Sequence, residues 1–308
     1  MSLIPMHIRP LAALLILCSL AFANITVDVR TSLAQGNFPG ATAELETYRT
    51  SHGVDPDYLE ALSWIARASL SSNHLDQAAT YARQTETLAQ EQLKHRTLDA
   101  EPHLPLALGA AIEVQAQVLT TRGQQTQAVA LLRHNLALYG NTSLRARLQK
   151  NLNLLGLAGQ PAPLLSTAEH FGPQPKALTS LKGSPVLLFF WAHWCIDCKH
   201  EGPVIAQLSS KFAAQGLTVL APTQLYGYAA RGEDAKPKDE LAYAQQVWRQ
   251  YYPGLQTVPV PVSKANFDRY GASTTPTLVL IDRKGRVALY HPGAMSYDDL
   301  RAAIEKAL

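Results

Sequence analysis

The chain has 308 residues, of which 47% are hydrophobic and 17% are charged, with 27 basic residues against 24 acidic ones. An apolar fraction this high excludes a wholly disordered chain, which would be poor in apolar residues and rich in charge. The net charge of only +3 argues against a nucleic-acid-binding protein, because such proteins concentrate basic residues on one face. Three cysteines exclude a small scaffold stapled by many disulfides, and the length suits about one to three domains.

The first 23 residues have the composition of a secretory signal peptide. His7 and Arg9 precede an apolar run over residues 11–20, and Ala21-Phe22-Ala23 supplies the small residues of a cleavage site. We therefore expect residues 1–23 to be a signal peptide and the protein to be exported to the periplasm or another extracytoplasmic space. An uncleaved signal that anchors the chain is the alternative, although the run is short for a membrane span.

Residues 24–158 show the apolar spacing of α-helices throughout. Leu59, Leu62, Ala66 and Leu70, for example, recur at intervals of three and four residues. Glycine, proline and asparagine residues separate the helical stretches and mark the turns between them. We therefore predict an all-α domain over residues 24–158.

A weak internal repeat marks three of these turns. In each, a turn-forming residue is followed five residues later by an alanine; the pairs are Gly36 and Ala41, Asn73 and Ala78, and Gly123 and Ala128. A tight turn followed by a small residue lets the second helix pack closely on the first. The arrangement resembles tetratricopeptide (TPR) repeats, although the intervals of 37 and 50 residues depart from the regular 34. The resemblance implies a TPR-like helical repeat domain, and an irregular helical bundle is the alternative.

The composition changes at residues 156–163, where glycines and prolines indicate a linker. Beyond it strands and helices alternate, so we expect an α/β domain over residues 159–308. The predicted strands cover residues 186–191, 217–221, 258–262, 277–281 and 287–290, and the predicted helices cover residues 196–214, 238–251 and 298–308.

The chemistry of the chain centres on a C-x-x-C motif formed by Cys195 and Cys198. A disulfide between them would close too short a loop to stabilise the fold much, so a reactive pair is favoured. The motif opens a predicted helix, whose N-terminal N–H groups and partial positive charge stabilise a thiolate. We expect Cys195 to be the exposed attacking thiol and Cys198 to be the buried resolving thiol.

An ordered set of residues surrounds the two cysteines. It comprises Trp194 before the first cysteine, Pro203 five residues after the second, the Thr275-Pro276 pair before a predicted strand, and the segment 182–188 that leads into another. Over residues 159–308 this set resembles the thioredoxin superfamily, and within it the TlpA/ResA-like exported thiol–disulfide oxidoreductases. The resemblance implies a thioredoxin fold, in which helices flank a central mixed sheet.

The resemblance also implies roles for single residues. Trp194, Thr275 and Pro276 are expected to contact the substrate, with Pro276 in the position of the cis-proline that faces the disulfide. Glu201 occupies the position of a glutamate that handles protons in ResA-like proteins, so we expect it to assist proton transfer at Cys198. A solvated Glu201 without a catalytic role is the alternative.

Two positions depart from the family pattern. Phe189 stands where thioredoxin has a buried aspartate, and Asp197 stands where many relatives have proline. A carboxylate near Cys195 should disfavour its thiolate and make the couple more reducing. The alternative is that Asp197 only favours the helix N-terminus.

The segment 223–237 is long for a connection between core elements. Its tyrosines and glycines suggest an exposed loop at the active-site end; the residues concerned are Tyr226, Gly227, Tyr228, Arg231 and Gly232. The loop is expected either to select partners or to be a tolerated surface insertion.

These features favour a thiol–disulfide oxidoreductase that acts on disulfides of exported proteins or peptides, with no cofactor and no nucleic-acid partner. The resemblance implies reduction, fed by a membrane thiol electron donor, while an oxidase or isomerase is an alternative. A second alternative is a copper- or zinc-binding module, in which Cys195 and Cys198 bind the metal together with His193 or His200 instead of acting as a redox pair. In a third, the helical domain is a scaffold that binds a peptide partner.

Overall fold

The computed structural model describes residues 24–308. The predicted signal peptide over residues 1–23, together with Cys18, lies outside the described residues. No helix formed by residues 24–308 is both long enough and apolar enough to cross a membrane.

Seven α-helices occupy the first half of the described chain. They are α1 (Ile25–Ala34), α2 (Phe38–His52), α3 (Pro56–Ser71), α4 (Leu75–Gln92), α5 (His103–Thr121), α6 (Gln125–Tyr139) and α7 (Arg145–Gly156). The side chains of Asn24, Asn37 and Asp55 accept hydrogen bonds from N–H groups in the first turns of α1, α2 and α3, which fixes where these helices begin. The predicted all-α character of this region is confirmed.

The three turns of the sequence repeat share one backbone structure. Gly36, Asn73 and Gly123 adopt positive φ angles of 73°, 59° and 73°. In each turn the following residue donates its N–H to the carbonyl five residues earlier, as in the Schellman motif; these bonds are Asn37 to Ser32, His74 to Ser69, and Gln124 to Leu119. Ala41, Ala78 and Ala128 are fully buried. The helices α1/α2, α3/α4 and α5/α6 therefore form three similar helix–turn–helix pairs.

The second half of the chain is a mixed α/β region. Its elements are β1 (His170–Phe171), β2 (Val186–Phe190), α8 (Ile196–Phe212), β3 (Thr218–Leu220), α9 (Pro237–Tyr251), β4 (Val260–Pro261), α10 (Lys264–Tyr270), β5 (Thr277–Ile281), β6 (Val287–Pro292) and α11 (Tyr297–Ala307). The central sheet has the strand order β3-β2-β5-β6, with β2 parallel to β3 and the other neighbours antiparallel. This is the predicted mixed sheet flanked by helices.

The strands β2 and β5 are buried along their whole length. Leu187 and Phe189 face a core shared with α8, α9 and α11, whereas Val186, Leu188 and Phe190 face a second core shared with α10. A strand that is covered on both faces needs apolar residues at every position, which explains the continuous apolar runs in the sequence.

Two elements differ from the sequence prediction. The strand expected over residues 258–262 shrinks to β4, which pairs with β1 outside the central sheet. Pro259 and Pro261 have no N–H to donate to a ladder, which is why this segment does not join a longer one. The helix α10 was not predicted, although it packs its Phe267 against Phe190 of β2.

The helix α7 joins the two regions. The side-chain amide of Asn153 donates a 2.9 Å hydrogen bond to the Tyr270 carbonyl at the end of α10. Gly271, at a φ of 60°, approaches the backbone of Lys150 so closely that no side chain fits between them. The segment after α7, predicted as a linker, pairs with the β6 hairpin through a 2.8 Å hydrogen bond from Gly159 N–H to the Val287 carbonyl. The division at residues 158 and 159 stays a prediction.

Candidate active site

The two cysteines of the motif are joined by a disulfide at the start of α8. Their Cα atoms lie 5.3 Å apart, and Cys195 is the N-cap residue of the helix. The N–H of Cys198 donates a 3.0 Å hydrogen bond to Sγ of Cys195. Helix N-terminal N–H groups have no partner inside the helix, so this bond is available to stabilise negative charge on the Cys195 sulfur after reduction.

The exposure of the two cysteines differs less than expected. Cys198 is completely buried, as predicted, but Cys195 is only 3% exposed. In this disulfide form the sulfur of Cys195 is bonded to Cys198 and also accepts the N–H of that residue, so both sides of it are occupied. The expectation of an exposed Cys195 is therefore wrong for the oxidised protein.

Glu201 lies one turn after Cys198 on the same face of α8. Its carboxyl group is 3% exposed; Oε2 accepts a 3.2 Å hydrogen bond from the N–H of Met295, while Oε1 is buried without a partner. Burial raises the pKa of Glu201 to about 7, and the Met295 hydrogen bond opposes this rise only in part. A carboxyl group with this pKa can both accept and release a proton near neutral pH.

The sequence did not predict a second buried acid, Glu240, which pairs with His193. His193 is 1% exposed, and its Nε2 lies 3.1 Å from Oε1 of Glu240 in the first turn of α9. Glu240 also accepts hydrogen bonds from the backbone N–H groups of Tyr226 and Gly227. Burial lowers the pKa of His193, although Glu240 opposes that effect. Glu240 thus ties the loop before α9 to the segment that leads into Cys195.

The loop over residues 223–237 contacts the active-site segment as expected, but it is less exposed than expected. Tyr226 packs edge-to-face against both His193 and Trp194, with ring centroids 5.6 Å and 5.5 Å apart. Its hydroxyl is buried, whereas Arg231 at the tip is exposed. Trp194 remains 49% exposed beside Cys195, which leaves part of its ring open to a substrate.

An aromatic layer supports the motif from beneath. The ring of Trp191 lies 5.2 Å from that of Tyr252, which stacks on Trp248 at 4.6 Å. The indole N–H of Trp191 donates to the Ala221 carbonyl, and Gly202 of α8 lies directly against the Tyr252 ring. These contacts hold the end of β2 and the first turns of α8 in one arrangement.

The Thr275–Pro276 peptide bond is cis and directly precedes β5. Thr277 pairs with Phe190, so the loop before β5 and the segment after β2 lie at the same edge of the sheet. The side-chain hydroxyl of Thr275 is buried without a partner. The structure therefore brings Thr275, Pro276 and the cysteines to one end of the fold.

The metal-binding alternative finds little support in the side-chain positions. Nε2 of His193 is turned to Glu240 and not to the cysteines. Within residues 24–308 no three histidine, cysteine, aspartate or glutamate side chains are arranged to hold a metal ion together.

Comparison with known proteins adds to this geometry. Residues 176–308 match the thioredoxin-like domain. The thiol:disulfide interchange protein DsbE of Xylella fastidiosa is 33% identical over 143 residues, which are 46% of this chain and 64% of that protein. The thiol-disulfide oxidoreductase ResA of Bacillus anthracis is 30% identical over 150 residues, which are 48% of this chain and 77% of that protein.

Among solved structures, a thiol:disulfide interchange protein DsbE from Chlorobium tepidum is 30% identical. The similarity covers 49% of this chain and 96% of that one, with a TM-score of 0.39. The match to the Xylella protein spans less than two thirds of that relative. The family match begins at residue 176, after the N-terminal helices.

Proposed function

The chain belongs to the thioredoxin-like family of thiol–disulfide oxidoreductases, and on that premise we propose that it exchanges disulfides with exported polypeptides through Cys195 and Cys198. The observation that carries the proposal is the position of the cysteine pair at the N-terminus of α8, with the buried carboxyl group of Glu201 one turn further along. A structural disulfide needs neither the helix terminus nor an acid beside it.

The first step uses the reduced pair. The thiolate of Cys195 attacks one sulfur of the substrate disulfide, so a mixed disulfide forms, and the other substrate sulfur leaves as a thiol after taking a proton. The Cys198 N–H, which lies 3.0 Å from the Cys195 sulfur in the oxidised form, stabilises the attacking thiolate.

The second step releases the substrate. Cys198 transfers its proton to the carboxylate of Glu201 and attacks the Cys195 sulfur, so the Cys195–Cys198 disulfide forms and the second substrate thiol departs. The substrate gains two electrons and two protons. A dithiol donor later supplies two electrons and two protons to the Cys195–Cys198 disulfide and is itself oxidised to a disulfide. A carboxyl group whose pKa is about 7 suits this transfer because it changes protonation state readily near neutral pH.

Substrate contacts are assigned to residues around the sulfurs. The exposed part of Trp194 offers an apolar surface beside Cys195, and the backbone of Thr275, ahead of Pro276, offers hydrogen bonds to an extended chain. We further propose that the reaction runs toward substrate reduction outside the cytoplasm, with a membrane thiol protein as donor. Its basis is the signal-like composition of residues 1–23 and the family resemblance.

The direction is tested by the reduction potential of the cysteine pair, read from alkylation of free thiols in dithiothreitol and glutathione buffers. A value near or below roughly −250 mV supports a reductase, whereas a value near roughly −120 mV would make the protein an oxidant.

Two variants test the order of attack. Cys198→Ser should accumulate a mixed disulfide with a protein substrate, because the resolving thiol is missing. Cys195→Ser should accumulate none. Equal trapping by both variants would contradict the assigned roles, and a pair that never forms a disulfide would remove the oxidoreductase proposal.

A further inference from the structure

A cleft lies between the N-terminal helices and the loop that leads to the cis-proline. It has a volume of about 870 Å³ and is lined from both regions. The helices contribute Arg67, Glu113, Arg147 and Lys150, and the loop contributes Ser273 and Thr274. The cleft therefore depends on both halves of the chain.

Two of the three cations in the cleft share one acidic partner. Glu113 accepts a 2.9 Å hydrogen bond from Nε of Arg147 and a 2.6 Å hydrogen bond from Nζ of Lys150. Burial opposes the ionisation of Glu113, but these two cations outweigh it and lower the pKa of Glu113 to about 2. The three side chains form a closed ionic cluster along one wall.

Arg67 is the remaining cation, and it has no such partner. Of the ion pairs within residues 24–308, none involves Arg67. Its guanidinium lies 4.5 Å from the ring centroid of Trp64, which holds the planar group in place. Burial and the nearby Arg147 lower the pKa of Arg67 to about 10, so the group remains charged at neutral pH.

The other two acids of the cleft, Asp99 and Glu101, accept hydrogen bonds from neutral groups and do not pair with Arg67. Asp99 accepts hydrogen bonds from the N–H and the hydroxyl of Ser143. Glu101 accepts from the N–H groups of His103 and Leu104 at the start of α5. Glu113 and Glu60 act on Arg67 through their charge, but no carboxylate in the described part of the chain forms an ion pair with it. An incoming carboxylate would therefore meet a guanidinium fork that is free to form a bidentate pair.

The cleft reaches the loop that precedes the cis-proline. Ser273 and Thr274 are exposed and directly precede Thr275 and Pro276 in the chain. The close approach of Gly271 to Lys150 fixes this loop against α7. The cleft is therefore within reach of a polypeptide that lies along Thr275 while its cysteine reacts.

We propose that this cleft binds a carboxylate-bearing segment of the disulfide substrate, with Arg67 as the residue that pairs with the carboxylate. The proposal rests on the proposed disulfide exchange and narrows its substrates to polypeptides with an acidic residue a few positions from the reactive cysteine.

The test uses two peptide disulfides of one sequence, with either Glu or Gln three to six residues from the cysteine. Wild-type protein should show a KM about tenfold lower for the Glu peptide, as expected for one charge-assisted hydrogen-bonded pair, with a smaller effect on kcat. Arg67→Gln should abolish this preference, and Arg67→Lys should retain part of it. The preference should also weaken as salt rises.

Arg30→Gln is the matched control. Arg30 lies 4.4 Å from the same Trp64 ring, yet it is exposed and does not line the cleft, so its loss should leave the preference intact. Equal loss in both variants, or no preference in the wild type, would overturn the proposal. Thermal unfolding of each variant identifies a folding defect.

Exchange with 2-hydroxyethyl disulfide, which is uncharged, reports on the cysteine pair alone. If wild-type protein failed to exchange even this compound, the proposed function would fail. Calorimetric binding of the Glu and Gln peptides to wild-type and Arg67→Gln proteins would then still decide whether the cleft selects a carboxylate.

Discussion

The Cα of Gly202 lies against the ring of Tyr252, and a methyl group added to it would meet Cδ1 of that ring at 2.6 Å. Tyr252 belongs to the aromatic layer beneath the cysteine pair and is almost completely buried. Because it is held between Trp248 and Phe189, it has little room to move aside. The second turn of α8 therefore lies so close to the aromatic layer that only glycine fits at position 202.

Gly202→Ala is expected to destabilise the protein, although alanine favours helix more than glycine does. Overpacking a well-filled core costs about 1–3 kcal/mol, against a propensity gain of about 1 kcal/mol. The free energy of unfolding in urea should therefore fall, and the reduction potential should shift because α8 carries both cysteines.

The control is Gly156→Ala at the end of α7, where an added methyl group meets nothing within 4 Å. This variant should be neutral or slightly more stable. If the Gly202→Ala protein were as stable as the Gly156→Ala protein, the Tyr252 ring would be able to move aside at little cost in free energy.

Glu201→Gln should increase stability at alkaline pH. The folded protein holds the pKa of Glu201 at about 7 against an ordinary value of 4.5, because burial disfavours the carboxylate. The protonated side chain stabilises the fold fully below pH 4.5, and this contribution is lost as the pH rises through 7. The loss amounts to about 3 kcal/mol at most, since one pKa unit corresponds to about 1.4 kcal/mol.

The measurement is the difference in unfolding free energy between Glu201→Gln and wild type at pH 4.5, 7 and 8.5. It should grow from near zero with rising pH, while Glu233→Gln in the exposed loop serves as control. A difference that does not vary with pH would argue against a raised pKa.

The same Glu201→Gln change should slow the release of the mixed disulfide. Glutamine cannot accept a proton from Cys198, and positioned proton transfer typically contributes on the order of a hundredfold or more. The resolving step should be followed by rapid mixing with a peptide disulfide across pH 6–9. A variant that is more stable yet slower would separate the proton-transfer role from a structural one, and an unchanged rate would assign Glu201 to structure alone.

The residues of the cysteine motif were predictable from the sequence, but the buried contacts that hold the neighbouring segments in place were not. Cys195, Cys198 and Glu201 lie within seven positions of one another, so a local pattern identifies them. Helical spacing places Glu240 on the buried face of α9 with Ala244 and Val247, which is a local signal that was overlooked. Its partner His193 lies 47 positions away, so no local pattern identifies the contact itself. Such long-range polar contacts appear only once the chain is folded.

The fold was predictable where burial produces a strict pattern. β2 and β5 are covered on both faces, so their residues are apolar throughout and the predicted strands agree with the observed ones. The helix α10 has only seven residues and depends on tertiary contacts such as that between Phe267 and Phe190, so periodicity did not identify it.

Glu240→Ala should release the loop over residues 223–237 from the active-site segment. The substitution leaves His193 and the backbone N–H groups of Tyr226 and Gly227 without their acceptor. The buried His193 alone should cost about 1–3 kcal/mol when its partner is lost. The loop should then open, so trypsin should cut faster after the exposed Arg231.

Glu233→Ala is the control for this experiment because it removes an exposed carboxylate from the same loop. Cleavage sites are identified by mass spectrometry under native conditions. If Glu240→Ala were cut no faster than Glu233→Ala, Glu240 would not be the residue that holds the loop.

Asn73 occupies the left-handed turn position that Gly36 and Gly123 take in the other two helix pairs. Its φ of 59° costs a side-chain-bearing residue about 1–2 kcal/mol, a cost that asparagine bears better than alanine does. Asn73→Ala should therefore lower the free energy of unfolding by about 1 kcal/mol, whereas Asn73→Gly should be neutral or stabilising. Urea titration measures both, with the exposed Asn141→Ala as a control at a position without positive φ. Equal stability of Asn73→Ala and Asn73→Gly would mean that the turn at residue 73 relaxes to another backbone conformation when its side chain changes. A positive φ would then not be required for the stability of this helix pair.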